Sequence, residues 1–225
     1  GQTHRAVRHF WEPVVAGALN DSFESCSTKY AGKVFHESFL CSPEGGRLGV
    51  PAVPLSEFLA PVAELAEQRG VLVREKAGVA GVTQGSDGLW RILVEGGEEM
   101  HAESVVLAVN FKEAQRLMES PPGAVEDFSH FVSAPITTVH LWYDRDVTGL
   151  DHAVLLDARI QWVFAKSRIR RWEIERGSYL ELVISASWPE LGMSRQDIRA
   201  AALRELELFF PLVKKATLRK SGVLK

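Results

Sequence analysis

The sequence predicts an α+β fold, with helices covering a mixed or antiparallel sheet and a β-meander separate from it. Three observations carry this prediction. The hydrophobic period shortens from three or four residues to two after Gly70, a second β-rich block begins at Ile136, and an amphipathic run at 194–210 follows that block. The chain has 225 residues, enough to bury a sizeable core as one large domain or two small ones.

Val7, Phe10, Trp11, Val14, Ala18 and Leu19 recur at helical spacing behind Thr3, a residue suited to capping, and predict an amphipathic helix over 3–19. Pro13 predicts a kink or division near Trp11, because its ring removes a backbone donor and crowds the preceding turn. A second short helix is predicted over 28–39. The glycines and prolines of EGGRLGVPAVP, at 44–54, predict turns or a short edge strand. Leu55, Phe58, Leu59, Val62, Leu65 and Ala66 then predict a helix over 55–68, ended by Gly70.

Beyond Gly70, VLV (71–73), GVAGVT, LWRILVE, EEMHA and SVVLAV (104–109) read as β-type runs, with GSDG (85–88) and GG (96–97) as turn signals between them. Helical sequence resumes over 111–118, and Pro121 and Pro122 close that section.

In the second block ITTVHLWY, HAVLLD, IQWVFA and YLELVISAS are predicted strands, the first and last paired in one sheet. Val139, Leu141 and Tyr143 alternate with Thr138, His140 and Trp142, which gives that strand two differently used faces. Ile198, Ala201, Ala202, Leu206 and Phe209 put one apolar side of the 194–210 helix over the sheet; Ser194 and Asp197 form its cap and Pro211 stops it. ATLRKSGVLK reads as a strand broken off in progress, so the chain is expected to be truncated there.

An apolar fraction of 46 %, a charged fraction of 24 % and a net charge of −3 are ordinary globular values, which argue against disorder and against bulk attraction to nucleic acid. No apolar stretch approaches the roughly 18 residues that span a bilayer, and GQTHRAVRHFW lacks the apolar centre of a signal peptide, so the reading is cytoplasmic. Cys26 and Cys41 are read as unpaired and buried.

The common one-line signatures, GxSxG, HExxH, CxxC and a complete phosphate loop, do not occur. The seven histidines nowhere pair at helical ligand spacing, so no metal site is assigned. EGGRLG has Glu44 where a dinucleotide fingerprint needs its first glycine; Gly45, Gly46 and Gly49 are read as turn formers. Lys166, Arg168, Arg170 and Arg171 beside Trp172 fit contact with anionic headgroups at the inner face of a membrane. They fit better a solvated loop whose charge Glu173 and Glu175 offset.

The stretches FWEPVVAGALN (10–20), GGRLGVPAVPLSE (45–57), SVVLAV (104–109), PITTVHLWYDRDVTGL (135–150), QWVF (161–164) and VISAS (183–187) resemble, in order and spacing, the squalene-associated FAD-dependent desaturases, or hydroxysqualene dehydroxylases. That family is similar in fold to amine oxidases and phytoene desaturases, in which FAD-binding and substrate-binding segments interleave. The resemblance implies helical substrate-domain sequence over 1–54, a helix and β-meander of the FAD domain over 55–120, and substrate-domain sheet with its covering helix over 121–225. Neither the glycine fingerprint nor a segment of the type GLFLAGDW is present in this sequence. It therefore implies FAD in the intact enzyme and none retained by this chain alone, which is expected to be inactive.

Carried over residue by residue, the resemblance places Val79 against the FAD adenine through its backbone, with Ala108 and Val109 near the cofactor. Asn110 stands where the family often has proline. Trp11, Asn20, Trp142, Gln161, Trp162 and Phe164 become candidates to line an apolar tunnel for a squalene-type isoprenoid, with the Asn20 and Gln161 amides orienting its hydroxyl. Trp142 and Trp162 are expected at one apolar cavity. No catalytic residue is implied, since the flavin does the chemistry. Other flavin oxidoreductases of the same fold, acting on a carotene, a porphyrinogen or an amine, stay open, as does a lipid-binding domain without flavin. A homodimer would cover apolar surface left by the FAD domain.

Overall fold

The computed structural model describes residues 1–118, 128–173 and 177–225. They form two compact units, one of Gly1–Phe58 with Ala134–Lys225 and one of Leu59–Ser133.

The first helix starts as α1 (His4–Ala6), where Thr3 Oγ1 accepts from the Ala6 N–H at 3.2 Å. It widens into a π-helical turn at Val7–Trp11 and continues as α2 (Glu12–Leu19). Of the kink or division expected near Trp11, the division does not occur: the backbone stays helical from His4 to Leu19. The Glu12 N–H bonds back five residues to the Val7 carbonyl, and Pro13 falls in the first turn of α2, where a missing donor is tolerated. Asn20 ends α2 in the left-handed region at φ 52°. The second helix is α3 (Thr28–Phe35), extended by a π-helical turn at His36–Leu40. Residues 47–54 carry no strand. The predicted third helix is α4 (Leu55–Gln68), which runs through Pro61 and leaves Leu55, Phe58, Leu59, Val62 and Leu65 exposed.

The meander consists of β1 (Val79–Gln84), β2 (Trp90–Val94) and β3 (Glu99–Ala102), paired antiparallel in that order. Its turns use Gly88, Gly96 and Gly97 at φ 82°, 101° and 95°, a region that glycine enters without steric cost. Two predicted strands are absent: neither 71–73 nor 104–109 pairs with any described residue. Apolar β-prone sequence becomes a strand only through a partner's hydrogen bonds, and here Val106 is 89 % exposed. Asn110 then caps α5 (Phe111–Leu117), its Oδ1 accepting from the Glu113 N–H at 3.0 Å. Pro121 and Pro122 lie outside the described residues.

The main sheet contains β4 (Thr137–Tyr143), β5 (His152–Val154), β6 (Trp162–Ala165), β7 (Ser178–Ile184) and β8 (Leu218–Leu224) in the order β5-β6-β7-β4-β8. Every neighbouring pair is antiparallel. β4 and β7 pair as predicted, from Thr137 opposite Ile184 to Tyr143 opposite Ser178. Short helices α6 (Lys166–Ile169) and α7 (Trp188–Leu191) lie between strands, and α8 (Arg195–Phe209) covers one face.

That covered face is the core. Val139, Leu141, Leu180 and Leu182 are fully buried with Ile198, Ala202 and Leu206 of α8, each large side chain contributing about 1.5–3 kcal/mol. The cap of α8 forms as expected, with Ser194 Oγ accepting from the Asp197 N–H at 3.1 Å. Phe209 does not join the core, being 42 % exposed; Phe210, where the helix ends, is buried instead. The cysteines are unpaired, but Cys26 is half-buried and Cys41 exposed, so neither is the buried thiol expected. Among the described residues no helix is long and apolar enough to cross a membrane, and no group of three or more His, Cys, Asp or Glu side chains is placed to hold a metal ion.

Candidate functional site

Strand alternation gives the main sheet a second, half-buried face. Since Val139, Leu141 and Tyr143 turn inward, Thr138, His140 and Trp142 turn to the other side. Residues directly opposite one another share a face, which adds Tyr179, Glu181 and Val183 from β7, Trp162 and Phe164 from β6, and Lys220 from β8.

Aromatic rings dominate this surface. Trp142 and Tyr179 stack with centroids 4.5 Å apart and planes 4° apart; Trp162 and Phe164 lie 5.9 Å apart at 6°. Trp172 stacks on Tyr179 at 5.9 Å. At one corner α2 rests on the face, because a Cβ on Gly17 would lie 3.0 Å from Trp162 Nε1. Burial, followed by the Glu181 charge, pushes the Tyr179 phenol up to about 12, so it stays protonated at neutral pH.

The structure brings three predicted site residues, Trp142, Trp162 and Phe164, to this one face. The two tryptophans share it without sharing a corner: Trp162 stands opposite Val183, whereas Trp142 stands opposite Tyr179. Trp11 belongs to another aromatic cluster, with Phe35 at 4.5 Å and Phe10 at 5.2 Å, where the first π-helical turn meets the end of α3.

Asn20 and Gln161 act as braces. Asn20 Nδ2 donates to the Ala134 carbonyl at 2.9 Å, and its Oδ1 accepts from the Ala186 N–H at 2.7 Å. Gln161 Oε1 accepts from the Ser185 N–H at 2.8 Å. Both Asn20 amide atoms are thus taken by backbone groups, whereas the Gln161 nitrogen has only the Ser185 carbonyl at 3.5 Å. A cavity of about 430 Å³ beside Gln161 is lined partly by Arg8, Glu12, Asp21, Glu24 and Asp157 and is too charged for a hydrocarbon.

Sequence reading passed over His140 and Tyr179. His140 was one histidine among seven. Its alternation with Trp142 was the available signal, whereas nothing local indicates that Tyr179 lies beside it.

In the meander unit, Val79, Ala108 and Val109 line one cavity of about 320 Å³, with Val82, Ile92, Leu107 and Leu117 among its other walls. The Val79 and Ala80 carbonyls accept from the Arg116 guanidinium at 2.9 and 3.0 Å. Arg116 also pairs with Glu113 and holds that carboxyl below its ordinary range, chiefly through their hydrogen bond.

These apolar walls fit a flat ring portion of a flavin dinucleotide. They do not fit its pyrophosphate. That group needs a set of free backbone donors at a helix start, but the α5 start places Glu113 in its first turn and caps that residue's N–H with Asn110.

The fold, a five-stranded antiparallel sheet and a small antiparallel meander, matches that of a solved oxidoreductase. An oxidoreductase from Methanosarcina mazei superposes with a TM-score of 0.74 at 12 % identity, over 98 % of this chain and 53 % of that one. The profile of the flavin containing amine oxidoreductases matches residues 2–222, and the chain belongs to that family.

A 15-cis-phytoene desaturase from Synechococcus elongatus is 35 % identical over 79 residues, 34 % of this chain and 17 % of that protein. The Arabidopsis thaliana 15-cis-phytoene desaturase is 23 % identical over 195 residues, 83 % of this chain and 34 % of that protein. The chain thus spans about a third or less of the curated relatives and about half of the solved oxidoreductase.

Proposed function

We propose that this chain is the substrate-binding portion of an FAD-dependent oxidoreductase that acts on a squalene-type isoprenoid, removing the hydroxyl of hydroxysqualene to give squalene. The observation that carries the reading is the aromatic face built by Trp142, Tyr179, Trp162 and Phe164. A long isoprenoid offers hydrophobic surface almost throughout, and a row of stacked rings supplies matching contact. Reduced FAD, when bound, would supply the hydride that replaces the hydroxyl, which leaves as water. The protein's part is to hold the chain of the substrate, keep water from it and place its one polar group. Val79, Ala108 and Val109 would meet a ring portion of the cofactor.

The names of the relatives favour a second isoprenoid reading, with phytoene itself as substrate. An amine is disfavoured. Lys220 Nζ already lies over the Trp142 ring at 5.1 Å, and Lys166 Nζ lies over Phe164 at 6.0 Å while pairing with Glu181 at 3.7 Å.

The discriminating experiment incubates the FAD-loaded full-length protein carrying this sequence with hydroxysqualene under reducing conditions, and separately with phytoene under oxidising ones. Squalene identified by mass is the expected product. Turnover of phytoene alone would replace this reading with the second, and turnover of neither would end both.

A further inference from the structure

On the aromatic face the structure places three polar side chains in a hydrogen-bonded row. Thr138 Oγ1 lies 3.2 Å from His140 Nε2, and His140 Nδ1 lies 2.8 Å from Tyr179 Oη. Strand geometry builds the row: Thr138 and His140 are two residues apart on β4, and Tyr179 on β7 stands opposite Trp142, the next outward residue. Both nitrogens of the imidazole are therefore committed within the row, while its two hydroxyl groups retain capacity.

The tautomers can be counted. With the proton on Nε2, His140 donates to Thr138 and accepts from Tyr179, which leaves the Thr138 proton and a Tyr179 lone pair facing outward. With the proton on Nδ1 the roles reverse, and the Tyr179 proton is left, with Glu181 on the same strand as its local acceptor. Thr138 then presents a lone pair. Each hydroxyl already has one partner in the row, and each setting leaves it a further position to fill among rings that offer none.

A single hydroxyl, donor and acceptor at once, satisfies either setting. A hydrocarbon satisfies neither. A carboxylate would have to lie beside Glu181, and an ammonium would meet Lys166 and Lys220 where they already sit on the ring faces.

We infer that Thr138, His140 and Tyr179 form the anchor for an alcohol, taking the hydroxyl of a ligand whose apolar chain lies along the aromatic face. This rests on the proposed assignment of that face to the substrate and names the polar group it selects. The three act as binding and specificity residues.

The test is titration of the purified protein with farnesol, an isoprenoid alcohol, and with farnesene, its hydrocarbon counterpart, followed by quenching of tryptophan fluorescence. One to two hydrogen bonds correspond to roughly tenfold tighter binding of the alcohol. Tyr179→Phe keeps the ring stack and removes only the hydroxyl, and Thr138→Val keeps the shape of the side chain. Each is expected to bring the alcohol to within about twofold of the hydrocarbon, with farnesene affinity unchanged. Circular dichroism of both variants checks the fold, and either variant suffices.

Equal binding of the two ligands by the parent protein would overturn the inference and leave the apolar face standing. So would a preference that survives in both variants. If neither ligand binds, the assignment of the face to an isoprenoid fails, and the anchor with it.

Discussion

Replacing Asn20 separates a structural brace from a ligand-binding amide. Its side chain makes two short hydrogen bonds, to the Ala134 carbonyl at 2.9 Å and from the Ala186 N–H at 2.7 Å, plus a longer one to Pro135 at 3.4 Å. These tie the end of α2 to the segments that enter β4 and leave β7. In Asn20→Gly the left-handed backbone at φ 52° is kept without strain, so only the hydrogen bonds are lost. Two such bonds contribute about 1 kcal/mol each, and the stranded Ala186 donor raises the total to roughly 2–4 kcal/mol. Asn20→Ala should lose about 1 kcal/mol more, because a Cβ disfavours the left-handed region.

Urea denaturation of both variants measures these losses, and at constant slope the midpoint shift reports stability alone. Farnesol binding, measured in the same preparations below the transition, should be unchanged. A loss below about 0.5 kcal/mol in Asn20→Gly, a value typical of inconsequential surface changes, would refute the brace. Lost ligand affinity with stability intact would restore the amide to the substrate.

Three further outcomes are expected. Gly17→Ala should be close to neutral, since about 1 kcal/mol of helix propensity offsets a contact at 3.0 Å with the Trp162 ring. Gly17→Leu should instead displace Trp162 and lose about 1–3 kcal/mol, visible as a shift in tryptophan emission; an unshifted spectrum in Gly17→Leu would show that α2 does not rest there. Asp144 is held down at about 2 by its bond with Arg145 and by the Thr217 N–H that it accepts at 2.8 Å. A carboxyl whose folded value lies below its ordinary 3.8 stabilises the fold above that value, and the effect fades as pH falls toward about 2. Asp144→Asn should therefore be less stable than the parent at pH 7 and converge with it in strong acid, as thermal melts across pH would reveal; a gap independent of pH would exclude the linkage. Finally, titration of the 225-residue chain with FAD should show no saturable binding at micromolar concentration. The walls described build no glycine-rich helix start for the pyrophosphate, so tight binding would demand a cofactor site beyond those residues.

Sequence alone determined what depends on near neighbours. The meander follows from glycine turn signals between short β-prone runs, and the start of α8 follows from Ser194 three residues before Asp197. The alternation in TTVHLWY divided β4 into its two faces, because strand period is set by backbone geometry. Resemblance in order and spacing of whole segments led to the flavin amine-oxidoreductase family, a conclusion beyond the reach of composition.

Tertiary structure decided whatever needs a distant partner. VLV and SVVLAV have the residues of strands and pair with nothing described, since a strand is completed by hydrogen bonds from another segment. Pro13 signalled a kink or division near Trp11, but a π-helical turn precedes it and the helix continues through it. Asn20 and Gln161 suited a ligand hydroxyl equally well in sequence, until the fold set backbone groups of Ala134, Ala186 and Ser185 against them. His140 and Tyr179 are separated by 39 positions. Only the register of β4 against β7 sets the imidazole beside the phenol, because cross-strand contacts depend on pairing and leave no periodic trace in either strand.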